Sequence, residues 1–105
     1  MSRYQIRITD KALADMAAIY EYIAENLLAP ETALKQYNRI AEGIESLDEF
    51  PNRCQLFESL PERDMGFRQL LVDNYSVIYV VEDDCVTVLR VLYSSSDIIA
   101  RLQNE

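Results

Sequence analysis

From Arg68 to Asp97 this chain sets two arginines and three tyrosines among apolar residues, with Asp97 closing the segment, and it contains no histidine anywhere. Arg68, Tyr75, Arg90, Tyr93 and Asp97 are the candidates for contact with a target or partner. The missing histidine constrains mechanism most. Proton transfer near neutral pH usually falls to His, whose unperturbed pKa lies there. A catalytic centre here would have to use a shifted carboxylate, a Lys, a Tyr or a Cys. Serine–histidine and cysteine–histidine hydrolases are excluded. Each candidate also has a plainer reading. Arg68 either meets a target or pairs with Asp73, Asp97 or Glu82 across a sheet. Arg90 shares the parity of Val88 and Leu92, so it either snorkels from the edge of the core or lies on an exposed sheet face. Tyr75, Tyr79 and Tyr93 form an aromatic patch under a partner, or are core rings whose hydroxyls reach the rim. Asp97 reads as a helix cap.

The elements that must position these residues follow from periodicity. Phe67–Val72, Asn74–Val81 and Val86–Tyr93 are rich in Val, Ile, Leu and Tyr and are parted only by short polar breaks, which predicts a three-stranded antiparallel meander. Arg3–Ile8 alternates polar and apolar residues as a half-buried strand does. Thr9 or Asp10 can cap a helix carrying Leu13, Met16, Ala17, Tyr20, Ile23, Ala24 and Leu27 as one apolar stripe. Leu28-Ala29-Pro30 interrupts it, and Pro30 suits the first turn of a second helix. That helix bears Ala33, Leu34, Tyr37, Ile40, Ala41, Ile44 and Leu47, and Phe50-Pro51 ends it. So short a break folds the two helices into an antiparallel hairpin. Residues 53–65 read as an irregular connector and Asp97–Leu102 as a short closing helix. The expectation is one α+β domain over residues 1–105, in the order β-α-α-β-β-β-α. Its twisted, antiparallel-rich sheet would carry the helical hairpin on one face. Both faces of Tyr75–Val81 are apolar, so that strand should be central and covered in part on both sides.

Composition narrows the partners. Eighteen acidic residues against ten basic ones give a net charge of −8. Affinity for nucleic acid comes largely from Lys and Arg neutralising phosphates. Here lysine occurs only at Lys11 and Lys35, while acids gather at 42–49 and 82–84. Direct RNA or DNA binding is therefore disfavoured, and the acidic clusters read as solvated faces and turns. Cys54 and Cys85 read as unreactive thiols with no disulfide. No metal or cofactor is expected. No signal peptide or membrane span is apparent, which implies a cytoplasmic protein without a membrane partner.

The arginine opening the first meander strand, Tyr75-x-x-x-Tyr79 in the second, and Ser94-Ser95-Ser96-Asp97-Ile98 after the third together resemble the RelE/ParE superfamily of bacterial toxins. The helical hairpin, Phe50-Pro51 and Leu60-Pro61 extend that resemblance over nearly the whole chain. It implies a type II toxin–antitoxin module in which an antitoxin of the ParD or RelB kind wraps the groove between helices and sheet. Nuclease members cut messenger RNA on the ribosome; ParE-like members inhibit DNA gyrase. Attack by a ribose 2′-OH needs a base, an acid and cations to stabilise the phosphorane. Arg68 matches the arginine of the nuclease pattern, but serines 94–96 stand where it has Arg or Lys. Ala100 stands near its closing-helix Tyr, and Glu58, Glu62, Arg63 and Asp64 occupy its lysine-bearing connector. The resemblance therefore favours the ParE-like branch, whose corresponding turn also ends in Asp-Ile. It implies protein binding to gyrase. A ribosome-dependent endoribonuclease using Arg68 and a non-toxic antitoxin-binding relic are the alternatives.

Overall fold

Alternating Gln5–Ile8 forms the first strand, β1, with Ile6 and Ile8 turned toward the core and Gln5 and Arg7 outward. In the computed structural model, which describes residues 3–58, 60–94, 98 and 102, this strand leads directly into helix α1, Asp10–Glu21. The Thr9 hydroxyl caps α1 by accepting from the Ala12 N–H at 3.1 Å. The helix continues as a π-helical turn over Tyr22–Asn26, and Leu28 then reverses the chain with φ +54°. Helix α2, Pro30–Glu45, has its proline in the first turn, where no intrahelical partner is lost. Short 3-10 turns at Ser46–Asp48 and Pro51–Arg53 end the hairpin. Strands β2 (Arg68–Val72), β3 (Tyr75–Glu82) and β4 (Cys85–Tyr93) form the expected meander. The connector is irregular apart from one bridge, between Leu56 and Arg68.

The sheet order is β1-β4-β3-β2. β1 runs parallel to β4, with Gln5 opposite Cys85 and Ile8 opposite Val88, while the other two pairings are antiparallel. The result is the expected small α+β fold with the hairpin against one sheet face. Ala12 and Met16 of α1 and Ile40 and Ile44 of α2 pack with Val77, Tyr79, Val86, Val88 and Val91 of the two central strands. The opposite face of β3 is also closed: Ser76 and Ile78 are fully buried. Beside β2, the Phe57 and Phe67 rings meet edge to face at 6.1 Å.

Three sequence-based details differ. The inward face of α1 and the π-helical turn runs through Ala12, Asp15, Met16, Ile19 and Ile23, so Leu13, and Leu27 at the end of the turn, are exposed. The cause is Asp15, which is drawn inward by three hydrogen bonds to β4. Those bonds outweigh the burial of one leucine. In α2, Leu34 is likewise exposed and Ala33 takes the inner position. Finally, a register shift between Ile78 and Tyr79 sets Arg90 opposite Ile78 but Val88 opposite Tyr79. The extra residue breaks alternation, so Arg90 and Val88 lie on opposite faces. Of the expected closing helix over 97–102, only Ile98 and Leu102 fall among the described residues, both helical.

Candidate functional site

A groove of about 680 Å³ opens between the hairpin and the end of the sheet. α1 contributes Asp15 and Ile19, the π-helical turn Tyr22, α2 Gln36, and the sheet Tyr75 and Tyr93. Its floor exists because β1 is short. β4 extends five residues past Val88, the last to pair with β1, and side chains take over its outer edge. The Thr9 hydroxyl donates to the Leu89 carbonyl at 2.9 Å, and Asp15 Oδ2 accepts from the Val91 N–H at 3.0 Å. Asp15 also receives the Arg90 guanidinium on both oxygens, at 2.7 and 2.9 Å. Such two-point pairing fixes orientation as well as charge.

Two of the sequence candidates are brought together in this groove. Tyr75 and Tyr93 meet at 5.7 Å between ring centres and 64° between planes. Burial raises the Tyr75 pKa, and the neighbouring Tyr93 and Tyr22 hydroxyls add to the shift. Tyr79 is instead a core ring: fully buried, it donates its hydroxyl to the Pro51 carbonyl at 2.6 Å. Burial, and then the nearby Cys54 thiol, push its pKa well above the ordinary tyrosine value. It does not reach the rim.

Arg90 occupies neither place the sequence offered, and Arg68 makes none of the offered ion pairs among the described residues. Arg90 is 8% exposed and locked onto Asp15, so it neither snorkels nor lies on an open face. Arg68 pairs with no carboxylate among the described residues; it donates to the carbonyls of Cys54 at 2.5 Å and Asn52 at 3.3 Å. Its expected partner Asp73, in the turn between β2 and β3, is instead held by side chains of α2. Arg39 holds that carboxylate at 2.6 and 2.9 Å and Gln36 at 3.1 Å. Arg39 and then Gln36 keep the Asp73 pKa below the usual carboxylate value. Asp97 lies outside the described residues. Sequence reasoning missed Asp15 and Tyr22. The first was detectable as one acid on an otherwise apolar helix face, matched by one arginine in an apolar strand. The second needed the π-helical turn, for which the sequence carries no comparable marker.

The groove combines apolar walls, half-exposed rings and an ion pair turned inward. A family model described as the ParE toxin of the type II toxin–antitoxin system parDE matches residues 6–98. Among solved structures, a chromosomal ParDE toxin–antitoxin system from P. aeruginosa is similar at 29% identity and TM-score 0.72, covering 87% of this chain and 96% of that one. The toxin–antitoxin complex RelBE2 from Mycobacterium tuberculosis shares the fold at 19% identity and TM-score 0.62, over 87% and 98% of the two chains. A YoeB dimer from Staphylococcus aureus does so at 18% and 0.59, over 88% and 98%. No curated protein matches this sequence significantly. With the match spanning β1 through the end of the meander, this chain belongs to the ParE toxin family of type II toxin–antitoxin systems.

Proposed function

We propose that this toxin acts by docking onto protein: a cognate antitoxin occupies the groove, and DNA gyrase is the target. One observation carries the reading. The arginines that could hold a phosphate are largely engaged by the chain's own carboxylates and carbonyls, and Arg90 alone among them is buried. Arg90 grips Asp15, Arg39 grips Asp73, and Arg3 faces Asp48 and Glu49. Arg53 donates to the carbonyls of Ser46, Glu49 and Phe50, as Arg68 does to those of Asn52 and Cys54. The remaining described cations, Arg7, Lys11, Lys35 and Arg63, sit on four separate elements. A phosphorane needs several converging donors. A protein surface needs shape and aromatic anchors, which the groove and its rings supply.

The antitoxin reading draws on the relatives, whose structures are toxin–antitoxin complexes. The gyrase reading draws on the sequence's resemblance to the ParE-like branch, while the family match supports the toxin–antitoxin role. A supercoiling assay with purified gyrase tests it. Micromolar toxin should inhibit, and a co-purified antitoxin should relieve the block. Undiminished supercoiling, or message cleavage on purified ribosomes, would overturn the proposal.

A further inference from the structure

The tyrosine-lined end of the groove has an unusual chemistry for a protein-docking site. Tyr22, Tyr75 and Tyr93 converge there from the π-helical turn, the start of β3 and the end of β4. Tyr22 is 54% and Tyr93 47% exposed, so two large rings stand half-uncovered beside one another's groove wall. The edge-to-face contact between Tyr75 and Tyr93 leaves ring surface open to an occupant. No Lys or Arg lines the groove among the described residues, and its one carboxylate, Asp15, is already matched by Arg90.

We infer that this end of the groove is a subsite for an arginine side chain carried on the segment that binds there. This rests on the antitoxin reading and names the chemistry of one contact within it. Aromatic faces carry negative quadrupole density and attract a guanidinium, more so once water is excluded. Burial pushes the Tyr75 pKa upward, so that phenol stays neutral at physiological pH and its attraction for a cation comes from the ring face. The aliphatic stem of the arginine would lie along Ile19 and Leu27, which line the same wall. The surrounding charge of −8 acts in the same direction, raising the local concentration of cationic segments. A purely apolar occupant would gain from the walls but nothing from that field.

The test uses the full chain with ring-labelled tyrosines, titrated separately with N-acetyl-arginine amide and its neutral isostere N-acetyl-citrulline amide. The arginine probe should shift the Tyr22, Tyr75 and Tyr93 ring resonances and bind about five-fold more tightly than the citrulline probe. Tyr93→Phe should keep that preference, while Tyr93→Leu, which retains apolar bulk, should reduce it to near parity. Equal binding of the two probes, no ring shifts, or shifts confined to other surfaces would overturn the inference. Whether an antitoxin binds at all is read separately, by co-purification with the product of a neighbouring reading frame. A toxin that captures such a partner yet shows no preference for arginine refutes only this subsite.

Discussion

Asp15 carries three tasks with one carboxylate: it neutralises Arg90, satisfies the Val91 N–H, and holds α1 against β4. Both side chains are nearly withdrawn from water, at 13% and 10% exposed. Removing one partner of a buried pair leaves the other uncompensated, which costs about 3–5 kcal/mol. Asp15→Ala should therefore lose stability on that scale in urea unfolding. Asp15→Leu combined with Arg90→Met should recover most of the loss, because well-packed apolar residues can replace such a pair. Tyr79 gives a pH prediction. Its folded pKa is raised above the unfolded value of about 10. Its contribution is thus complete below pH 10 and is lost as pH rises through the folded value, since the unfolded chain releases the proton first. Stability should fall above pH 10, with a shallower decline in Tyr79→Phe, as followed by chemical denaturation across alkaline buffers. The pairing of Asp15 with Arg90 was legible in principle. Each is a lone charge on an apolar face, and buried charges need partners. Arg68 was not legible in the same way, because its partners are main-chain carbonyls of the connector and carbonyls leave no trace in residue identity.

At the scale of elements, the sequence foretold order and type well: both helices, the meander, the Thr9 cap and the Pro30 start all stand where periodicity placed them. The rotation of α1 escaped it. Leu13 and Ala12 are equally plausible inward residues on a helical wheel, and only the strand partner of Asp15 chooses between them. The parallel pairing of β1 with β4 and the β-bulge in β3–β4 also depend on contacts distant in sequence. Gly43 shows a similar dependence. A Cβ there would stand 2.8 Å from Val72 Cγ2, so α2 approaches β2 as closely as a glycine permits. Alanine gains about 1 kcal/mol in helix propensity, but overpacking costs about 1–3 kcal/mol. Gly43→Ala should be net destabilising in the native background and stabilising in a Val72→Ala background. A double-mutant cycle by urea unfolding would read this reversal; additive effects would contradict it.

For the molecule as a whole, charge dominates. Eight excess negative charges on 105 residues oppose compaction through self-repulsion. Added sodium chloride should raise the Tm of the isolated toxin, since screening shortens that repulsion to about 10 Å at 0.1 M. A Tm that falls with salt would mean surface ion pairs such as Arg39–Asp73 matter more than the net field. Screening should also weaken any arginine-bearing partner, so toxin stability and partner affinity should move in opposite directions as salt rises. Composition foretold this electrostatic character completely. The groove was less accessible to sequence, because its walls come from five segments that only the assembled sheet brings together.

The neighbour relation between the first strand and the last has a bearing on synthesis. Gln5 pairs with Cys85 and Ile8 with Val88, so the opening strand waits unpartnered until its mate, some eighty positions later, has been made. Closure over so wide a separation is slow compared with local pairing. A nascent chain halted before Val88 therefore lacks the pairing that completes its sheet, and with it Val91, Leu92 and Tyr93 of the groove wall.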